Sequence, residues 1–77
     1  MYILKLFEII NFESVLVRKK TYPGDKSGAC SQAVSELGKW EKECKGTNRN
    51  YKIVFDYENE DHEIINIGII KVQGGTK

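Results

Sequence analysis

The chain has 77 residues, 40% of them hydrophobic and 30% charged, with a formal net charge of +1. That length accommodates one small hydrophobic core and no second one, and the composition is that of a globular chain, not a disordered one. A near-neutral balance gives no general attraction to nucleic acid, so any electrostatic function has to come from local segregation of charge.

The opening MYILKLFEIINF is apolar, but Lys5 and Glu8 interrupt it within a run far short of the roughly 20 residues of a membrane span. It also lacks the basic start and small-residue cleavage site of a signal peptide. A cytoplasmic protein, with no membrane partner, is the expectation. Within Tyr2 to Phe12, Tyr2, Leu4, Leu6 and Ile10 alternate with Ile3, Phe7 and Ile9. The pattern suits a central strand, and the β-branched and aromatic content favours it. Ile3, Phe7 and Ile10 would equally line a helix face, so both readings of this segment stay open.

NFES (Asn11 to Ser14) is short enough for a hairpin connection, and VLVRKKTY continues as a second strand, apolar at its start and basic at its end. Pro23 and Gly24 break that strand. Beyond them Cys30, Ala33, Val34, Leu37, Trp40 and Cys44 recur at spacings of three and four, one apolar face of a helix with Trp40 as its core anchor. Asp25 or Ser27 is suited to cap its start. Gly46, just past Lys45, is suited to a left-handed C-cap.

GTNRN is a polar connection. YKIVFDY then alternates as a strand, with Tyr51, Ile53, Phe55 and Tyr57 on one face. ENEDHE makes a turn, and IINIGIIKV forms the last strand, with Ile65, Ile67 and Ile69 expected on one side. Gly68 suggests a bulge or a close approach. The order β-β-α-β-β makes an α+β domain over residues 1–73, a four-stranded antiparallel sheet with one helix packed on one face, followed by a flexible tail at 74–77. Leu4, Leu6, Val54, Ile64 and Ile70 are candidates for the opposite face, which would serve as a homodimer surface or as a platform for a larger protein.

Chemistry is sparse. PGDKSGACS places Gly24 and Gly28 four apart with Lys26 and Ser27 between them, whereas a Walker loop needs its lysine and hydroxyl after the second glycine. A helix start with incidental anion affinity is the better reading. Cys30 lies in the first helical turn, near the positive end of the helix dipole, and Cys30, His62 and Asp61 can be written as a hydrolase set, but no spacing supports it. Cys30 and Cys44, fourteen residues apart along a helix, are about 21 Å apart and beyond disulfide reach. DYENEDHE lacks the spacing and loop glycine of a calcium site. No metal, cofactor or enzymatic activity is expected.

Charge is the more informative feature. Asp56, Glu58, Glu60, Asp61 and Glu63 concentrate negative charge in one turn, against the basic cluster Arg18, Lys19 and Lys20. These eight residues are the candidate partner contacts: a basic partner would meet the turn, an acidic one the VRKK end. The alternative is a nucleic-acid-binding or regulatory domain using Arg18 to Lys20, with Tyr22, Arg49, Tyr51 and Phe55 nearby.

A short sheet, one helix of the SQAVSELGKWEKEC kind and a charged patch such as ENEDHE together resemble small phage-encoded proteins that disable host machinery. These include the smaller anti-CRISPR proteins and phage inhibitors of host enzymes. The resemblance implies a viral, non-enzymatic inhibitor in the host cytoplasm that occupies the surface of a larger protein, and it carries no site residues across.

Overall fold

The computed structural model describes residues 1–24 and 26–74. Its elements are β1 (Tyr2–Ile10), β2 (Glu13–Tyr22), α1 (Ser27–Lys45), β3 (Asn50–Glu58) and β4 (Ile64–Gln73). They form one antiparallel sheet in the order β2-β1-β3-β4, with α1 packed on one face. The first segment is therefore a strand. It lies in the middle of the sheet, where apolar residues on both alternating sets find cover or neighbours.

The helix-side core is built from Leu4, Leu6, Tyr22, Ile53, Phe55 and Val72 of the sheet against Ala33, Trp40 and Cys44 of α1. Trp40 is fully buried, and its Nε1 donates to Glu36 Oε2 at 2.8 Å, so the indole reaches the core without orphaning its one donor. Cys30 and Leu37 pack partly against this core, while Val34 stays exposed. Leu4, Leu6 and Ile70 thus lie under the helix and not on the opposite face, because cross-strand partners share a face and these three stand in register with Phe55 and Ile53. Val54 and Ile64 do lie opposite.

Both helix ends differ from expectation. Lys26 is the N-cap and makes no side-chain capping bond, and Ser27 is already helical. Asp25 lies outside the described residues. Gly46 has φ −82° and ψ 0°, so it does not turn left-handed. Instead the last turn tightens: Gly46 N donates to Glu43 O, and the Thr47 hydroxyl donates to Cys44 O at 2.9 Å, satisfying carbonyls that a left-handed cap would have covered.

Two bulges interrupt the strand alternation. In β2 the register slips at Val17, between the pairs Leu6–Arg18 and Phe7–Leu16. In β4 it slips at Ile67, between Phe55–Gly68 and Asp56–Asn66, next to the glycine that suggested it. Each extra residue moves everything beyond it to the other face. Ile65 and Ile69 consequently project on opposite sides, the former with Tyr57 and the latter with Val54. At the chain's end, residues 75–77 of the expected tail lie outside the described residues. Gly74 is packed so closely on the backbone of Thr47 and Arg49 that a β-carbon there would collide.

Candidate functional site

Among the described residues no element packs on the face opposite the helix, although Ile3 and Asp56 on it are buried, and its composition follows from the register. One row across the sheet reads Lys19, Lys5, Val54, Ile69, and the next reads Leu16, Phe7, Lys52, Lys71. Two basic quarters and two apolar quarters thus alternate like a checkerboard. The bulge at Val17 is what puts Leu16 beside Phe7, and the one at Ile67 aligns Asn66 with Ile69 and Lys71 on this side. Lys52 Nζ sits 5.1 Å from the centroid of the Phe7 ring. Among the described residues none of Lys5, Lys19, Lys52 and Lys71 has a carboxylate within ion-pair distance. Leu16 and Ile69 are each more than half exposed.

The same surface runs on into the β1–β2 hairpin. Asn11 and Phe12 both have positive φ, 52° and 69°, the mark of a two-residue type I′ turn, which matches the right-handed twist of the strands it joins. Asn suits the first position, but the second ordinarily belongs to glycine, and here it is Phe12, wholly exposed at 102%. Ile10, Val15 and Val17, on the helix side, lie toward or beyond the end of α1 and are also about half exposed. The apolar hairpin with a strained aromatic apex was not anticipated from the sequence. The pattern of Asn followed by a bulky residue at a tight turn was its only trace.

The expected contact residues are dispersed by the fold. Strand alternation divides the basic cluster: Arg18 and Lys20 turn toward α1, paired with Glu43 at 3.3 Å and Glu36 at 3.7 Å, while Lys19 joins the open face. Arg18 also lies 5.4 Å from the Trp40 ring centroid. Tyr22, Tyr51 and Phe55 sit on the helix side, so they make no stacking platform on the open face.

Within the acidic group, Asp56 is only 6% exposed and accepts a hydrogen bond from Asn66 Nδ2 at 2.9 Å. Glu58 pairs with His62 Nδ1 at 2.9 Å, and Glu63 accepts from Asn59 Nδ2. The Asn59 side-chain oxygen also takes the backbone N–H groups of Asp61 and Glu63, shaping the turn with His62 at φ 62°. Glu60 and Asp61 remain at its exposed apex. This turn and the Phe12 hairpin are at opposite ends of the sheet, because β1 enters beside Tyr57 and leaves beside Asn50, along a domain 42 Å long.

The groups considered for catalysis are separated. Cys30 lines a groove with Tyr2, Ser31 and Val34, whereas His62 lines a hollow with Met1, Tyr57 and Glu60. Among the described residues no cluster of three or more His, Cys, Asp or Glu is arranged to hold a metal, and no helix is long and apolar enough to cross a membrane. Burial pushes the Cys44 thiol above its ordinary 9.0, with Glu43 adding to the effect and Arg18 opposing it. Burial, then Glu36, likewise raises Tyr22 above 10.0, and its hydroxyl has no hydrogen-bond partner among the described residues. No protein family, curated protein or solved structure matches the chain.

Proposed function

We propose that the protein is a non-enzymatic binding module that docks on a larger protein through the β1–β2 hairpin and the open sheet face continuous with it. The observation that carries this reading is Phe12: a large apolar ring held fully in solvent, on a backbone conformation that disfavours it. Strain of that kind persists only where the surroundings impose it, and it concentrates at binding and switch sites. Aromatic residues supply a large share of interface energy, and burying this ring on a partner is worth about 1.5–3 kcal/mol. Around it, Leu16 on the open face and Ile10, Val15 and Val17 on the helix side are all about half exposed, and exposed apolar groups gathered at one end of a domain mark protein-interaction sites. Occupying a target's surface is the mode of action implied by the resemblance to phage-encoded inhibitors.

The test is site-specific photocrosslinking in a host-cell lysate, the setting that the resemblance implies. A benzophenone side chain at position 12 is expected to give discrete protein adducts that excess unlabelled protein competes away. The same group at Glu60 should not. Absence of competable adducts from position 12, or an identical set from position 60, would sink the reading.

A further inference from the structure

We infer that the surface this module engages is acidic: a segment of a partner protein in which carboxylates accompany apolar side chains, seated across Lys5, Lys19, Lys52 and Lys71. The inference rests on the reading of the protein as a binding module and adds the chemistry of the partner.

The fold arranges these lysines at a cost to itself. Lys5 and Lys19 are direct cross-strand partners, as are Lys52 and Lys71. Like charges so placed stand about 5 Å apart at their β-carbons and destabilise the pair. The register places two carboxylates on this face, Asp56 and Glu58; Asp56 is buried and held by Asn66, and Glu58, at the far end of β3, pairs with His62, so neither answers them. The formal charge of +1 therefore conceals a sheet face with four cations beside exposed Leu16 and Ile69, which asks for carboxylates and apolar groups together.

A second copy of the chain fits less well than an acidic partner. Face-to-face pairing would bring two sets of these lysines into one interface, where the carboxylates of the face itself, Asp56 and Glu58, are already held by Asn66 and His62, and unpaired buried charge is costly. Nucleic acid fits less well than protein. Among the described residues the aromatic ring on this face is Phe7, already under Lys52, while the aliphatic groups around it contribute little to stacking on bases.

The test uses fluorescein-labelled peptides and isotope-labelled whole protein. The primary probe alternates glutamate and leucine, and its control replaces glutamate with glutamine. The acidic peptide should bind at least about tenfold more tightly than the control and weaken steeply with added salt. Replacing all four lysines by glutamine should abolish that preference. On titration, NMR shift changes in the wild-type protein should centre on Lys5, Phe7, Lys52, Val54 and Lys71, and not on Glu60 and Asp61, which checks the site without any variant.

Equal affinity for the two peptides, or no binding of the acidic one at millimolar concentration, overturns the inference. So does tighter binding to oligothymidylate or to phosphatidylserine vesicles, which would assign the face to nucleic acid or to lipid. Crosslinking from position 12 reports separately on the docking reading. Adducts there with no preference for glutamate would leave the hairpin as the docking site and remove only the acidic partner.

Discussion

Replacing Phe12 by glycine should make the protein more stable and a poorer binder. Phe12 is wholly exposed, so its removal deletes no packing. Its φ of 69° costs an L-residue about 1–2 kcal/mol relative to glycine. Against this stands the extra freedom glycine brings to the unfolded chain, about 0.5–1 kcal/mol. The net expectation is a gain of about 0.5–1 kcal/mol, helped by Asn11, since Asn-Gly is the preferred type I′ pair. For a domain of this length that corresponds to a rise in Tm of about 2–8 °C. Phe12→Ala is the control, because it removes the ring but keeps the strained backbone, and it should leave Tm near the wild-type value. Thermal unfolding followed by circular dichroism, beside position-12 crosslink competition, measures both effects. A glycine variant less stable than wild type, or an alanine variant that gains as much, would refute the assignment of strain to this position. A glycine variant that competes as well as wild type would refute its role as an anchor.

Lys19→Glu and Lys71→Glu each turn a like-charge cross-strand pair into an opposite one and should stabilise by about 0.2–1 kcal/mol apiece. The two lie on opposite edge strands, so the gains should add, and the urea midpoint should rise at low salt but not at high salt. Trp40→Ala removes the largest fully buried side chain at about 3–5 kcal/mol, comparable to the whole stability of so small a domain; loss of a cooperative unfolding transition is expected. Cys44 and Tyr22 hold their protons more tightly folded than unfolded, because both pKa values are raised. The contribution of these two groups should therefore be constant below pH 9.0, fall as pH rises through the folded value of Cys44, and fall further above 10.0. Urea midpoints across alkaline pH check this, and Cys44→Ala should remove the first decline. Tyr22→Phe deletes a buried hydroxyl that lacks a partner among the described residues and should change stability by less than about 1 kcal/mol, in either direction.

The elements were legible because each is encoded by neighbours in sequence. Cys30, Ala33, Leu37, Trp40 and Cys44 keep helical spacing, YKIVFDY alternates, and Pro23 with Gly24 ends a strand whatever surrounds it. Two hairpins on either side of one helix leave few ways to close a sheet, which is why the antiparallel four-stranded layer could be anticipated. The candidate contacts were less legible, because adjacency in sequence is not adjacency in space. Arg18, Lys19 and Lys20 are consecutive, yet a strand sends neighbours to opposite faces, and α1 supplies Glu36 and Glu43 to two of the three.

The open face could not be read from the chain for a related reason. Its four lysines are spread over all four strands, and a period-two pattern predicts shared faces only while the register is unbroken. Val17 and Ile67 each break it by one residue, bringing Leu16 to Phe7 and parting Ile65 from Ile69. Strand and helix identity, and the burial of Trp40, follow from local spacing and side-chain chemistry. Pairing between distant strands decided where the bulges fall, which lysines meet, and that Phe12 stands alone at the tip, because each depends on partners the local sequence does not name.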